Sequence, residues 1–316
     1  MPEVVACGEA LIAVTPQVRG RLDETMDIKL HVAGAESNVA IGLSRLGVST
    51  AFWGAVGTDP FGSIIRTRLA AEGVDVTHLL QRPEPTGLMF KEWYGLGEDP
   101  QVYYYRAGSA GSAWDCGANI TNDLREVRWI HCSGITAMIG LASRRSIQAI
   151  IMAAKPLGIA ISLDVNLRTK LAPAAEWRQV LDALIPYSDV VFCTTRELSQ
   201  LWAIQDPMDW FAPESKREQS VLVAKDDAHQ VSAYNASDPI ARAHPWSVTK
   251  VVDPVGAGDG LAAGIIAARL KEWEWRDALR LGTLVGALAV SHPGDFEGYP
   301  YWREVEALWE DRWIDR

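Results

Sequence analysis

Short apolar runs rich in β-branched residues alternate with helical patterns over most of the chain, and this alternation constrains the fold more than any other feature. The clearest strand patterns are at residues 3–8, 50–57, 128–133, 159–164, 189–193, 220–225 and 230–234. Residues 10–14 are expected to continue the first of these strands, and residues 73–79 to open a further short strand. Strands separated by helices form parallel sheets that helices cover on both sides. The pattern therefore predicts an α/β fold with a doubly wound central β-sheet and helices on both faces. With 316 residues, of which 48% are hydrophobic, residues 1–316 are expected to form a single domain.

Residues 86–106 differ in composition and pattern from the rest of the chain. Runs 86–94 and 101–106 are rich in aromatic residues, and they bracket segment 95–100, which contains two glycines and a proline. Two such runs joined by a short loop predict a β-hairpin. Because this hairpin interrupts the α/β alternation, it indicates a small sheet that stands off the main body.

Charge and cysteine content argue against several classes of protein. The net charge of −10 disfavours nucleic acid and anionic membranes as partners. The four cysteines lack metal-ligand spacing, so we expect reduced thiols in a cytoplasmic protein. No run approaches about 20 uninterrupted apolar residues, and the N-terminus lacks a basic region before an apolar stretch, so neither a membrane span nor an export signal is expected.

The strongest chemical motif lies between a predicted strand, 246–252, and a predicted apolar helix, 261–270. Gly256 and Gly258 allow the backbone of this turn to approach a ligand closely. The free N–H groups at the helix start, together with the positive end of the helix dipole, form a seat for an anion. Asp259 would repel a resting phosphate, so its presence suggests that it accepts a proton from a hydroxyl that attacks phosphorus.

The residues of this motif also allow two other interpretations. Asp is favoured at helix starts, so Asp259 could act only as a cap. The second interpretation is a dinucleotide-binding G-x-G-x-x-G fingerprint, but the sequence fits this motif poorly. Leu261 occupies the third glycine position, and segment 281–290 has a helical rather than a strand pattern. A dehydrogenase is therefore the least favoured function.

The segment Asp-Pro-Val-Gly-Ala-Gly-Asp at 253–259 resembles the C-terminal signature of the ribokinase-like (PfkB-type) carbohydrate kinases. The resemblance extends over nearly the whole chain. It implies transfer of the γ-phosphoryl group of ATP, with Mg²⁺, to a sugar hydroxyl. It also implies that Gly256, Ala257 and Gly258 form an anion hole and that Asp259 is the catalytic base.

A second motif of the resembled family lies near the N-terminus. Gly34 and Asn38 stand where the family's glycine and asparagine contact sugar hydroxyls. From this segment alone, an ordinary helix capped by Ser or Asn is the favoured interpretation, and only the presence of the second signature about 220 residues later favours the sugar contact. The resemblance further implies that segments of about 10–32 and 86–106 form a β-clasp lid, which would exclude water during phosphoryl transfer.

Segment 103–112 is the most informative about the substrate. Arg106 can form two parallel hydrogen bonds to a carboxylate, and the hydroxyl of Tyr104 can add another, although an isolated arginine at a strand end is usually solvated. Tyr-Tyr-Arg followed by Ala-Gly-Ser-Ala resembles the segment that grips the acid in 2-keto-3-deoxygluconate kinases. That resemblance also implies that Arg168 binds the substrate carboxylate or the transferring phosphate. It further implies that Asp295 contacts the sugar, although from the residues alone Asp295 is equally an ordinary turn residue.

Several residues point to a nucleotide site. Asn166 follows the carboxyl end of a predicted strand, where doubly wound sheets bind ligands. The resemblance implies that it contacts ATP together with Thr194, Lys225, Gly256 and Gly258.

Three positions depart from the pattern of the resembled family. Thr194 replaces the asparagine of an N-x-x-E motif whose glutamate, here Glu197, acts on magnesium through water. Residues 225–230 keep the lysine of K-x-G-x-x-G but lack both glycines, and their two aspartates would repel a triphosphate. Met89 stands where acid-sugar kinases tend to carry a tyrosine, and a thioether makes no strong hydrogen bond.

Together these features predict an ATP-dependent kinase that phosphorylates the terminal hydroxyl of 2-keto-3-deoxy-D-gluconate to the 6-phosphate, with Asp259 as the base. A neutral-sugar kinase of the fructokinase or ribokinase type and a weakly catalytic sugar-binding homologue remain as alternatives. The lids of the resembled family often pair across a dimer, so a homo-oligomer is expected.

Overall fold

The computed structural model describes residues 1–93, 100–117, 120–212, 217–226 and 230–314. The strands in these ranges are β1 Val4–Cys7, β2 Leu11–Pro16, β3 Ile28–Ala33, β4 Thr50–Gly57, β5 Leu79–Arg82, β6 Leu88–Glu92, β7 Gln101–Tyr105, β8 Trp129–Ser133, β9 Ala160–Asp164, β10 Val190–Thr194, β11 Val221–Lys225, β12 Val231–Tyr234 and β13 Pro239–Ala243. The α-helices are α1 Ala35–Arg45, α2 Pro60–Ala71, α3 Ile120–Asp123, α4 Gly134–Met138, α5 Leu141–Ala154, α6 Ala174–Leu184, α7 Thr195–Trp202, α8 Ala257–Leu270, α9 Trp275–Ala289 and α10 Trp302–Ile314.

The central sheet has the strand order β13-β12-β11-β10-β9-β8-β1-β4-β5. The strands from β11 to β5 run parallel, and β12 is antiparallel to both of its neighbours. From β1, the chain adds β4 and β5 on one side and later β8 on the other. This change of direction opens a crevice at the carboxyl ends of the central strands, which is where such sheets bind ligands.

Helices cover both faces of the central sheet, as the sequence predicts. Alternate residues of β1 enter two different cores, since Val4 and Ala6 pack in one cluster and Val5 and Cys7 in the other. The first cluster includes the inner faces of α1, α8 and α9, and the second includes those of α5 and α6. The α/β fold class is confirmed, and the site is held on a sheet that is buried from both sides.

A second sheet of order β3-β2-β6-β7 lies beside the crevice. Its β6 and β7 pair antiparallel, which confirms the hairpin, while residues 94–99 between them lie outside the described residues. One face carries Leu11 and Met89, which border the crevice. The other face carries Ile12 and Val14, which join the main core. We call this four-stranded unit the small sheet.

Three strand predictions are wrong. Residues 10–14 do not continue β1: the chain turns at Gly8–Ala10, and β2 joins the small sheet. The strand expected at 73–79 is a single bridge from Asp75 to Ala51, and β5 begins only at Leu79. Residues 246–252 form no strand. The N–H of Val252 instead bonds the carbonyl of Val290, 2.7 Å away at the end of α9.

None of the helices in the described ranges is long and apolar enough to cross a membrane. All four cysteines are unpaired, and Cys7, Cys132 and Cys193 are buried. Burial raises the pKa of each of these three thiols, so they are protonated and unreactive at neutral pH.

Candidate active site

A cavity of about 610 Å³ lies where the carboxyl ends of the central strands meet the N-terminus of α8 and the edge of the small sheet. Of the site residues that the sequence predicts, all except Ala257 line it: Gly34, Asn38, Tyr104, Arg106, Asn166, Arg168, Thr194, Lys225, Gly256, Gly258, Asp259 and Asp295. The structure thus brings together in one crevice residues that are more than 200 positions apart in the chain. Their individual roles remain predictions.

The N-terminus of α8 begins on a tightly held glycine. Gly256 has φ of +85°, and a Cβ at this position would lie 1.8 Å from the carbonyl oxygen of Asp295. The hydroxyl of Tyr299 donates to the carbonyl of Gly256 over 2.6 Å and holds the turn from behind. The first amides of α8 have no partner within the helix, so they are available to an anion in the cavity.

Asp259 lies in the first turn of α8 and is half-buried. Its Oδ2 accepts a 2.7 Å hydrogen bond from Nδ2 of Asn38, while Gly256 occupies the cap position, so Asp259 is not a simple helix cap. Loss of hydration raises the pKa of Asp259 to about 7. The bond from Asn38 opposes this rise, and the nearby carboxylates of Asp295 and Glu36 add to it. A carboxylate that titrates near neutrality is well suited to take a proton from an alcohol.

Asn38 connects Asp259 to a second carboxylate. It lies on α1 just after Gly34, whose φ of +133° brings the backbone close to that of Glu9. Besides its bond to Asp259, Nδ2 lies 3.4 Å from Oδ2 of Asp295. Oδ1 of Asn38 is buried and has no hydrogen-bond partner within the described ranges. This oxygen can accept a hydrogen bond from a bound hydroxyl.

Arg106 is paired with a carboxylate that sequence reasoning missed. Its guanidinium forms a salt bridge with Glu9, both side chains are buried, and Ser109 also donates to Glu9. Nε of Arg106 is buried and lacks a hydrogen-bond partner within the described ranges. The ring of Tyr104 lies 5.6 Å from the guanidinium carbon. Glu9 directly follows the carboxyl end of β1, and this position is the signal that could have identified it.

Lys91 and Asp253 were also missed. Lys91 is only 1% exposed, forms a salt bridge with Asp295, and its Nζ lies 3.9 Å from Oδ2 of Asp253. Lys91 follows Met89 by two positions in β6. Since side chains two apart in a strand share a face, this spacing places Lys91 on the side that borders the cavity.

The residues predicted to bind a nucleotide lie at the ends of β9, β10 and β11. Thr194 and Glu197 form a capping box at the start of α7: the N–H of Glu197 bonds the Thr194 hydroxyl over 3.1 Å, and Glu197 accepts from the N–H of Thr194 over 2.7 Å. The other Glu197 oxygen accepts from the N–H of Leu167 over 2.7 Å, next to Asn166, whose φ is +46°. Thr194 therefore caps α7 at the position where the N-x-x-E pattern has an asparagine.

Charge on this side of the cavity is mixed. Burial lowers the pKa of Lys225, while Arg168 is exposed to the crevice. Burial and the nearby Glu197 raise the pKa of Asp164 well above its ordinary value. Among the described residues, no three His, Cys, Asp or Glu side chains are grouped to hold a metal ion. Residues 227–229, which belong to the segment 225–230 that departs from the family pattern, lie outside the described residues.

Several carbohydrate kinases are similar to this chain in sequence or in fold. The 2-dehydro-3-deoxygluconokinase of Bacillus subtilis (strain 168) is 31% identical over 304 residues, which cover 94% of this chain and 92% of the relative. The 2-dehydro-3-deoxygluconokinase of Thermoproteus tenax is 31% identical over 312 residues, which cover 98% and 94%. A putative ribokinase II from E. coli, solved in complex with ATP and Mg²⁺, superposes with a TM-score of 0.87 at 25% identity, covering 98% of this chain and 100% of that one.

Residues 1–301 match the sequence pattern of the pfkB family of carbohydrate kinases. This match covers both sheets and every residue that lines the cavity. The central sheet with its flanking helices is the ribokinase-like fold of these enzymes. The chain therefore belongs to the pfkB family of carbohydrate kinases.

Proposed function

We propose that this kinase transfers the γ-phosphoryl group of ATP to the terminal hydroxyl of 2-keto-3-deoxy-D-gluconate and releases the 6-phosphate and ADP. The observation that carries the proposal is the position of Asp259, whose pKa is about 7, beside the amides that open α8 and in the same cavity as Arg106. A base, a seat for anions and a cation for a sugar acid thus share one crevice. Residues 1–316 act as one catalytic unit, with the small sheet as its lid.

Asp259 acts as the general base. As the hydroxyl oxygen forms its bond to the γ-phosphorus, the hydroxyl proton passes to the carboxylate of Asp259, and the bond to the β,γ-bridging oxygen breaks to release ADP. The bond from Asn38 fixes the orientation of the accepting carboxylate. We assign the developing charge on the transferring group to the amides of Gly256 and Gly258, which line the cavity and have no partner within the helix. The amide of Ala257 lies between them in the chain, although Ala257 itself does not line the cavity.

The nucleotide side offers groups that suit ATP with Mg²⁺. Mg²⁺ usually binds through one or two carboxylates, several waters and the phosphates of the substrate, so it does not need a dedicated cage of side chains. Glu197 and Asp164 are the carboxylates in position, and a divalent cation would relieve the raised pKa of Asp164. Mg²⁺ held near Glu197 and Asp164 would neutralise negative charge on the phosphates. We assign the nucleotide to Asn166, Thr194 and Lys225.

The other end of the cavity holds the sugar. Oδ1 of Asn38 is a buried acceptor for a substrate hydroxyl, and Nε of Arg106 is a buried donor that lacks a partner within the described ranges. A carboxylate that approaches Arg106 would satisfy that donor, with Tyr104 as a second contact. Arg168 lies on the open side, where it can reach either the acid or the transferring phosphate. Asp295 and the backbone of Gly34 complete the sugar contacts.

A kinase of a neutral sugar is the second candidate, and one observation favours it. Glu9 already compensates the charge of Arg106, so the net attraction for a carboxylate is smaller than an unpaired arginine would provide.

The apolar side of the cavity, by contrast, favours the keto-deoxy acid. Met89 and Leu11 present an apolar wall to the cavity. That wall suits a carbon without a hydroxyl, as in a 3-deoxy acid, and it disfavours a fully hydroxylated ketose.

A coupled ADP-release screen tests the substrate. The purified protein would be assayed with ATP and with GTP against keto-deoxy acids, ketoses and pentoses. We expect turnover with 2-keto-3-deoxy acids and none with ketoses or pentoses. Preference for fructose or ribose would establish the neutral-sugar alternative, and absence of ADP release with every sugar would indicate a binding homologue.

We also propose a cytoplasmic location, because the four cysteines are unpaired. A homo-oligomer is proposed from the exposed apolar side chains on β3 and β7 of the small sheet. These are Ile28, Leu30, Tyr103 and Tyr105. Sedimentation velocity on the intact protein would measure the assembly state.

A further inference from the structure

The small sheet and the catalytic helix are joined by a buried ion pair. Lys91 belongs to β6 of the small sheet, whereas Asp295 lies in the loop that packs against Gly256 at the start of α8. Their side chains are 2% and 3% exposed. Asp253, whose Oδ2 lies 3.9 Å from Nζ of Lys91, is 5% exposed. One ammonium thus compensates two carboxylates in a nearly dry region.

The charges in this cluster depend on one another. Burial alone would lower the pKa of Lys91, but Asp295 and Asp253 outweigh it and hold the pKa above its ordinary value. Burial raises the pKa of Asp253, and Lys91 opposes that rise. Without Lys91, two buried carboxylates would face each other without a cation, and at least one would move or take up a proton.

The cluster continues directly to the proposed base. Oδ2 of Asp295 lies 3.4 Å from Nδ2 of Asn38. The same nitrogen donates a 2.7 Å hydrogen bond to Asp259. Oδ1 of Asp295 is the atom paired with Lys91. A shift of the Asp295 carboxylate would therefore change the hydrogen bonding of Asn38 and, through it, the orientation of Asp259.

We propose that Lys91 is a positioning residue for phosphoryl transfer: it anchors Asp295, which orients Asn38 and Asp259, so the base is fully aligned only when the small sheet is in place over the cavity. The inference rests on the proposed kinase activity. It assigns a role to a lid residue that acts through Asp295. A lysine that merely stabilised the lid, or one that bound the sugar itself, would behave differently when Asp295 is changed.

Lys91→Met and Lys91→Arg test the role of the charge, with Glu92→Gln as the matched control. Glu92 is the next residue in β6, is also buried, and accepts hydrogen bonds from Tyr103 and Leu22 away from the cavity. Misalignment of a catalytic group by about 1 Å costs on the order of 100-fold in rate, so we expect kcat of Lys91→Met to fall by about 10- to 100-fold. The KM for ATP should change little, Lys91→Arg should recover most of the rate, and Glu92→Gln should match the wild type.

Asp295→Asn and the double variant Lys91→Met/Asp295→Asn decide whether Lys91 acts through Asp295. If it does, Lys91→Met should lower kcat no further once Asp295 is neutral. The double variant leaves one buried carboxylate without a cation, Asp253, where Lys91→Met leaves two, so it can be assayed even if Lys91→Met fails to fold, as a thermal melt would show. Losses that multiply in the double variant, or a Lys91→Met kcat equal to that of Glu92→Gln, would overturn the proposal. Wild-type protein without kinase activity on any sugar would instead overturn the proposed function.

Discussion

Nδ2 of Asn38 donates a 2.7 Å hydrogen bond to Oδ2 of Asp259, and this contact joins the first turn of α1 to the first turn of α8. The two residues are 221 positions apart in the chain. The bond holds the carboxylate in one orientation and opposes the rise of its pKa. The orientation of the proposed base is therefore set by a residue from the opposite half of the sequence.

Asp259→Asn should abolish turnover while largely sparing sugar binding. General-base catalysis contributes about 10²- to 10⁴-fold, and an amide cannot accept the hydroxyl proton. The Asn side chain keeps the size of Asp, so the cavity keeps its shape. ADP release measures kcat, and calorimetric titration with the sugar measures binding. A variant with a near-normal rate would refute the base assignment.

The pH dependence of kcat/KM should show an acid limb near pH 7. Asp259 must be ionised to accept a proton, and its pKa is about 7, so the rate should fall about tenfold for each pH unit below that value. Asn38→Ala should move the limb to higher pH, because the bond from Asn38 favours the ionised form. Both proteins are assayed with the same substrates, so protonation of ATP affects them equally. A limb near pH 4 in the wild type would show that the carboxylate is well hydrated.

Arg106→Ala should raise the KM for the sugar acid far more than the KM for ATP. A charge-assisted hydrogen bond contributes about 1.5–3 kcal/mol, which corresponds to roughly 10- to 150-fold in KM. Arg128→Ala is the matched control, because Arg128 pairs with Glu3 on the surface through half-exposed side chains. Equal effects of Arg106→Ala on both substrates would exclude the carboxylate role.

Gly256→Ala should destabilise the fold, whereas Gly258→Ala should not. A Cβ on Gly256 would lie 1.8 Å from the Asp295 carbonyl at a φ of +85°, but a Cβ on Gly258 meets nothing within 4 Å. Backbone strain of this kind costs about 1–3 kcal/mol before the clash is counted. Urea unfolding of both variants measures the difference in the free energy of unfolding. Equal stabilities would mean that the turn can relax away from Asp295.

Much of the fold follows from local pattern. Strands such as β4 and β9 and helices such as α8 and α9 lie close to where hydrophobic periodicity predicts them. The exceptions have tertiary causes. Residues 246–252 have strand-like composition, but Val252 bonds to the end of α9 instead of joining the sheet. Composition does not reveal which partner a backbone N–H will find.

What the sequence by itself determined is the fold class and the set of motifs that meet in the crevice, because alternating periodicity and the Gly-Ala-Gly-Asp turn are local properties. Only the tertiary structure decided the charge balance of the site. Glu9 neutralises Arg106, and Lys91 joins Asp295 and Asp253, through contacts between segments far apart in the chain. Electrostatic energies depend on distance and burial, and neither quantity can be read from a linear order of residues.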